Sequence, residues 1–211
     1  MKSISLGVLF FVLAFCGISD RIKQLTAGSS NTSSTNSGNT SKNGGGASVE
    51  PAKPSNAQQA IIDGGSGYAW DDEGLSWRLP AGWKRTDVTK ATFDYESPDH
   101  AFLLVNVSEL GDNFPMDTSL QAYYDQAMQQ LRSGKYTDVK MVSIDGISGV
   151  EFTEAAPEDK DGGIRRHQWI GYRRYLGQVQ QLNVMTSTKA TNFEKHADDF
   201  IAILYSMKAT K

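Results

Sequence analysis

Cysteine is nearly absent from this chain: Cys16 is the only one among 211 residues. A single cysteine excludes an internal disulfide and any metal site built on several thiolates. A dominant charge is also lacking, because 21 Lys and Arg stand against 24 Asp and Glu, for a formal net charge of −3. This balance argues against a general nucleic-acid-binding protein and against a polyanionic tail.

Patterns that carry catalysis or bind metals are also missing. The three histidines, His100, His167 and His196, have no metal-like spacing, and no Gly-x-Ser-x-Gly motif occurs. We therefore expect no enzymatic activity, no metal and no cofactor, and histidines that are solvated surface side chains. A hydrolase that pairs His100 with a serine is a further hypothesis, although nothing in the sequence positions that serine.

Long apolar runs are confined to the N-terminus, where Ile4 to Ile18 contains no charged residue. A spanning helix needs about 20 apolar residues, whereas this shorter run has the length of a signal-peptide core. We predict a signal peptide or short membrane anchor in residues 1–19. Three outcomes stay open: lipidation of Cys16 in the lipobox-like Leu-Ala-Phe-Cys, cleavage at Gly17-Ile18-Ser19, or an uncleaved anchor.

The charges around this run bear on the compartment. Arg21 and Lys23 follow it and Lys2 precedes it, a balance that would keep the following residues in the cytoplasm. The length of the run favours export instead. We predict a protein of the bacterial cell envelope, membrane-anchored or periplasmic, with a cytoplasm-facing anchor as the alternative.

A polar segment follows the apolar run. Gly28 to Ser48 consists almost entirely of Gly, Ser, Asn and Thr, which offer no apolar surface to offset the entropy of ordering. We predict a disordered linker in residues 20–67 and a globular domain in residues 68–211. A tether of about 40 residues has a root-mean-square reach of about 35 Å.

Four closely spaced strands and two helices are predicted in this domain. Alternating residues flank Asp145-Gly146, a pair typical of hairpin turns, and two longer runs meet at Leu176-Gly177. Apolar residues recur at helical spacing in two further segments, where Thr118-x-x-Gln121 and Thr191-x-x-Glu194 predict capping boxes. The fold class is therefore α+β, with one-sided helices packed on an antiparallel meander.

The order of these elements resembles the PsbP-like superfamily, which groups PsbP, the Mog-type Ran-binding proteins and bacterial envelope proteins such as DcrB and LpqN. The features that carry the resemblance are Leu79-Pro80-Ala81-Gly82-Trp83, Gly146-x-x-Gly149-Val150-Glu151 and the segment from Phe200 to Lys208. The resemblance covers about Leu75 to Lys208. It implies an α/β/α sandwich with a central antiparallel sheet, no enzymatic activity, and docking onto other proteins through residues that differ among members.

One predicted strand carries a candidate docking face. Alternation places five cationic and aromatic residues on one side: Arg165, His167, Trp169, Arg173 and Tyr175. Such mixtures are enriched in interface hot spots, so we predict that this face docks an unidentified protein partner. In an alternative interpretation the arginines pass the aromatic core edges into water. A second hypothesis for function is a small-molecule or ion carrier with a pocket between sheet and helices.

Overall fold

The computed structural model describes residues 48–159 and 161–210. Cys16, the N-terminal apolar run and most of the predicted linker lie outside these residues, so what was predicted for them stays a prediction. None of the helices in the described ranges combines the length and the hydropathy that crossing a bilayer requires.

The described residues form three α-helices and eleven strands, together with 3₁₀ turns at Asp71–Glu73 and Ala190–Asn192. In chain order the elements are β1 Glu50–Pro51, α1 Asn56–Gly64, β2 Ser66–Trp70, β3 Leu75–Leu79, β4 Lys84–Val88, β5 Thr92–Glu96, β6 Phe102–Leu110, α2 Met116–Arg132, β7 Tyr136–Ile144, β8 Ile147–Glu154, β9 Ile164–Tyr175, β10 Gln178–Lys189, α3 Phe193–Tyr205 and β11 Lys208–Ala209.

Eight strands form one large sheet in the order β1-β7-β8-β9-β10-β6-β5-β4. Its neighbouring strands are antiparallel except for β1, which runs parallel to β7. The predicted meander is β7 to β10, and Asp145 and Gly146 turn its first hairpin with φ angles of 49° and 87°. Both angles are positive, as a type I′ turn requires. The α+β fold class with a central antiparallel-rich sheet is confirmed.

Strands β2 and β3 belong to a second sheet of three strands with β11 at its other edge. Leu75, Trp77 and Leu79 alternate inward along β3 and are buried in the main core. Phe200 and Ile203 of α3 belong to the same core. The second sheet and α3 thus share the core on one side of the large sheet.

Helix α1 lies inside the segment that the sequence analysis assigned to the linker. Ser55 caps it: its Oγ accepts from the Gln58 N–H at 3.3 Å, and Gln58 Oε1 accepts from the Ser55 N–H at 2.9 Å. Gln58 Nε2 also donates to Asp198 of α3 at 2.9 Å. The prediction of disorder is therefore wrong for β1, for α1 and for the start of β2, because strand pairing, a cap and a tertiary contact order a segment of polar composition.

The two capping boxes predicted for the long helices are also wrong. Helix α2 begins after Pro115, whose φ of −81° suits a helix start, and no side chain caps it. Before α3, the 3₁₀ turn at Ala190–Asn192 takes Thr191 out of the cap position, and Asn192 caps without a side-chain bond. In both cases the preceding loop sets where the helix starts.

Helix α2 packs on the other side of the large sheet. It lies over β7, β8 and β9, where Leu120 and Ala127 meet Val150, Phe152 and Ile170 in a second core. Helix α2 does not extend over β4, and the side chains of β4, β5 and β6 on its side of the sheet are half-buried or exposed. The helical layer on this side therefore covers only part of the sheet.

Candidate functional site

The five residues of the predicted docking face lie on the side of β9 that faces the main core. Trp169 is completely buried, with its ring against Gly149 and Gly171. His167 and Arg173 are only 4% and 6% exposed. A partner would have to unfold this region to reach them, so their burial contradicts the predicted docking face.

The two arginines of this face end in contacts within the protein. Arg165 Nε donates to the Glu154 carbonyl at 2.7 Å, and its guanidinium lies 4.1 Å from the Phe193 ring centre. Arg173 stacks at 4.3 Å over the ring of Tyr175. The arginines do pass aromatic rings, as the alternative interpretation held, but they end in intramolecular bonds and fasten separate elements to the sheet.

His167 belongs to a buried charge network centred on Glu151, which has no exposed surface. His167 Nε2 lies 3.3 Å and Lys140 Nζ 3.2 Å from the same oxygen, Glu151 Oε1. The Tyr205 hydroxyl donates to Oε2 at 2.9 Å. Burial acts to raise the pKa of Glu151, but His167, Lys140 and the Tyr205 hydroxyl outweigh it and lower this pKa. The network ties β7, β8 and β9 to the end of α3.

His196 of α3 is a second buried histidine that contacts carboxylates. Its Nε2 lies 3.0 Å from Asp99 and its Nδ1 3.0 Å from Asp199. The hydrogen bond from Lys195, more than any other contact, lowers the pKa of Asp99.

Two of the three histidines are thus buried, so the expected solvated position is correct only for His100. Within residues 48–159 and 161–210, no group of three or more His, Cys, Asp or Glu is arranged to hold a metal.

The opposite side of the large sheet keeps its side chains accessible. Cross-strand pairing places Met185 beside Leu104, and Leu104 beside Asp94. A second row runs through Phe102 and Glu96. Paired residues of antiparallel strands point to the same side, so the two rows form one surface. We call this surface the open face; it comprises Asp94, Glu96, Phe102, Leu104, Asn106, Asn183 and Met185.

The centre of the open face is apolar. Phe102 and Leu104 lie two residues apart on β6, and Met185 of β10 pairs with Leu104. All three are only half-buried, although both strands lie in the interior of the sheet. The neighbouring side chains of Asn106 and Asn183 are polar, and Gln168 Nε2 donates to Asn183 Oδ1 at 2.6 Å. An apolar centre with a polar surround is typical of surfaces that bind other molecules.

Carboxylates border the open face on the side of β4 and β5. Asp94 pairs across the strands with Asp87, and Glu96 contacts His100. Asp94 is half-buried, and no described residue donates a hydrogen bond to its Oδ1. Burial, with a smaller contribution from Asp87, raises the pKa of Asp94 to about 6. Its ionised form therefore destabilises the free protein at neutral pH.

Replacing Asp94 with asparagine is expected to stabilise the protein at pH 7.5. A carboxyl whose pKa is raised in the folded state binds its proton more tightly there, so its destabilising effect is present above pH 6 and disappears below pH 4. Solvent screening of a half-buried group keeps the gain to about 1 kcal/mol. Thermal unfolding of both proteins at pH 7.5 and pH 4 measures it. A gain that persists at pH 4, or one matched by Glu109→Gln on the other side of β6, would contradict this account.

A groove of about 640 Å³ lies between α1, the outer side of the second sheet and the end of α3. Tyr68, Ser76, Arg78 and Tyr205 are among the residues that line it. The Arg78 guanidinium donates to carbonyls at the end of α1, with distances of 2.6 Å to Ile62 and 2.5 Å to Gly65. These donors are therefore occupied inside the protein rather than turned toward a ligand.

No family model and no curated protein matches the chain in sequence. In structure, it matches LpqN of Mycobacterium tuberculosis, a protein described as involved in cell envelope biogenesis. The TM-score is 0.50 and the identity 14%, over 70% of this chain and 86% of LpqN. The chain has the PsbP-like fold. This result confirms the resemblance that the ordered motifs predicted.

Two other structures match this chain at lower scores. Cyanobacterial PsbP (CyanoP) from Synechocystis sp. PCC 6803 matches at a TM-score of 0.44 and 15% identity, over 69% of this chain and 92% of the other. A protein from Bacteroides thetaiotaomicron VPI-5482 matches at 0.47 and 13%, over 70% of this chain. This chain spans only 49% of that protein's length.

The open face was not predicted from the sequence, and the pocket expected between sheet and helices was not assigned to residues. Alternation along β6 separates Phe102 and Leu104 from Leu103 and Val105, but both sets are apolar. Periodicity alone therefore shows two sides of the strand without showing which side a helix covers. The sequence did contain one signal. Phe102 and Leu104 share their side of the sheet with Asp94 and Glu96, and a fully buried side would not place carboxylates beside apolar residues.

Proposed function

We propose that this protein is a non-enzymatic accessory domain that docks a protein partner through the open face. The observation that carries the proposal is the half-buried apolar centre of Phe102, Leu104 and Met185 on a side of the sheet that α2 covers only in part. A sheet side with apolar residues at its centre is normally packed against another layer. A docked partner would supply that layer.

The proposal extends to the cell envelope. LpqN, which shares the fold, is described as involved in cell envelope biogenesis. The N-terminal apolar run and the Gly/Ser/Asn/Thr-rich segment of this chain are typical of an envelope anchor and its spacer. We propose an envelope-tethered domain whose linker lets the open face reach a partner near the membrane. Mass spectrometry of the native N-terminus, with cell fractionation, tests this placement; an unprocessed chain in the cytosolic fraction would overturn it.

A photo-crosslinking amino acid at position 102 tests the docking surface. In cells that produce the protein naturally, we expect one discrete adduct, lost when Leu104→Glu and Met185→Glu are added. The matched control is the same amino acid at Gln126, an exposed position of α2. Adducts that are identical from positions 102 and 126, or an adduct that survives both glutamates, would overturn the open face as the docking surface.

The groove favours a second candidate function, the binding of a small molecule. Its volume of about 640 Å³ is within the range of ligand sites. Native mass spectrometry of the purified protein should then show a retained ligand that Ser76→Trp removes. A protein that is ligand-free when purified from its natural source, and whose Tm is unchanged by a metabolite panel, would exclude this function.

A further inference from the structure

The open face changes from apolar at its centre to acidic at its outer strands. Its apolar centre lies on β6 and β10, and its carboxylates lie one and two strands further out, on β5 and β4. Asp87, Asp94 and Glu96 place three carboxylates on this margin, beside Lys84, which pairs across the strands with Glu96. The β6 side chains that face Asp94 from the other direction are uncharged. The outer margin therefore favours a positively charged group.

The size of the uncovered region suits a helix. Strands β10, β6, β5 and β4 lie about 4.8 Å apart and so span about 14 Å. An α-helix with its side chains is about 10–12 Å across. Because α2 already covers β7 to β9, one further helix beside it would complete the helical layer on this side of the sheet.

The spacing of charge and apolar groups matches such a helix. Asp94 is one strand from Leu104 and two strands from Met185, which corresponds to about 5 and 10 Å. A helix that lies along the strands has a diameter of about 10–12 Å, which matches the distance from Met185 to Asp94. A lysine or arginine at the margin of its apolar stripe thus reaches the carboxylates while a leucine of the stripe lies on the apolar centre.

We propose that the open face binds an amphipathic helix of a partner protein, with its apolar stripe on Phe102, Leu104 and Met185 and a lysine or arginine of the same helix against Asp94 and Asp87. This inference rests on the proposed docking function and adds the chemistry of the partner. Asp94 is then a specificity residue. Its ionised carboxylate destabilises the free protein, and a cationic side chain beside it would compensate that charge when the helix binds.

The test uses the full-length chain and two stapled helical peptides of about 18 residues, one built from leucine and lysine and the other with glutamate at every lysine position. We expect the lysine peptide to shift the backbone amide NMR signals of β5, β6 and β10. It should bind about tenfold more tightly than the glutamate peptide. Asp94→Asn should abolish most of this preference, whereas Glu109→Gln, which removes the same charge on the other side of β6, should preserve it.

Acidification provides a second readout. The affinity for the lysine peptide should fall between pH 7.5 and pH 5, because Asp94 takes up a proton near pH 6. The Asp94→Asn protein should show a much smaller fall over the same range. An equal fall in both proteins would overturn the role of Asp94.

The outcomes separate this inference from the function on which it rests. Equal binding of both peptides at β5, β6 and β10 would overturn the preference for a basic helix and leave the docking surface intact. No shift of these signals by either peptide, together with no adduct from position 102, would overturn both. An adduct that joins position 102 to residues 1–47 of the same chain would identify this chain's own N-terminal segment as the occupant and would overturn the partner helix.

Discussion

Replacing Lys140 with methionine is expected to lower the free energy of unfolding by about 3 kcal/mol, or roughly 10 °C in Tm. Lys140 Nζ lies 3.2 Å from Oε1 of Glu151, a carboxylate without exposed surface. Removing Lys140 leaves the buried charge of Glu151 with only His167 and the Tyr205 hydroxyl to compensate it, which is unfavourable because the carboxylate stays in the interior. Chemical denaturation followed by tryptophan fluorescence measures the loss.

Two comparisons make this prediction specific. Lys135→Met removes an exposed lysine just before β7 and should change stability by less than about 0.5 kcal/mol. Adding Glu151→Gln to Lys140→Met should restore more than half of the loss, because the buried charge that has lost its lysine partner is then gone. A double variant less stable than Lys140→Met alone would show that the charge on Glu151 is not what destabilises the single variant.

The pH dependence of this loss has a definite sign. The pKa of Glu151 is lowered in the folded protein, so its contribution to stability is present above its unfolded pKa and is lost as the pH falls through its folded pKa. Without Lys140 the effect of burial is opposed only by His167 and the Tyr205 hydroxyl, so this pKa is higher than in the wild type and the carboxyl protonates at a higher pH. The difference between wild type and Lys140→Met should therefore shrink from pH 7.5 to pH 5.

Gly149→Ala is the second substitution with a large expected effect. A Cβ at this position would lie 2.2 Å from Cε2 of Trp169, far inside van der Waals contact. The ring is completely buried and cannot move without disturbing the main core. We expect a loss of about 3 kcal/mol, at the upper end of the usual effect of overpacking, measured as the shift of the denaturation midpoint.

Gly67→Ala is the matched control, because it also adds a methyl group to a strand glycine but meets no atom within 4 Å. It should change stability by less than about 0.5 kcal/mol. Combining Gly149→Ala with Trp169→Phe should be less destabilising than the sum of the two single changes, since the smaller ring leaves room for the methyl group. Strict additivity would show that contact with Trp169 is not the source of the loss.

Features that depend on neighbouring residues were predictable. Asp145-Gly146 predicted a hairpin because positive φ angles are a property of the turn residues themselves. The apolar stripes of α2 and α3 predicted helices that each pack on one side. Ser55-x-x-Gln58 is a capping box of the same kind as those inferred for the long helices, so α1 was within reach of sequence reasoning despite its polar surroundings.

Features that depend on distant residues were not predictable. The second sheet has a third strand because Lys208 pairs with Ser76, and no local pattern in either segment specifies the other. His196 is buried because Asp99, 97 positions earlier in the chain, approaches its ring. The capping boxes inferred at Thr118 and Thr191 did not form, since the conformation of the preceding loops sets where the helices begin.

The candidate site shows this division most clearly. The alternation of β9 divides its residues correctly into two sets, because successive side chains of a strand point to opposite sides. Which set remains accessible depends on where α2 and α3 pack, and this is decided by contacts between residues far apart in the chain. The core formed with α3 encloses Trp169, His167 and Arg173, whereas the limited extent of α2 leaves Phe102, Leu104 and Asp94 accessible. Local order thus produces the strands and their two sides, and long-range packing of helices selects the side that can bind.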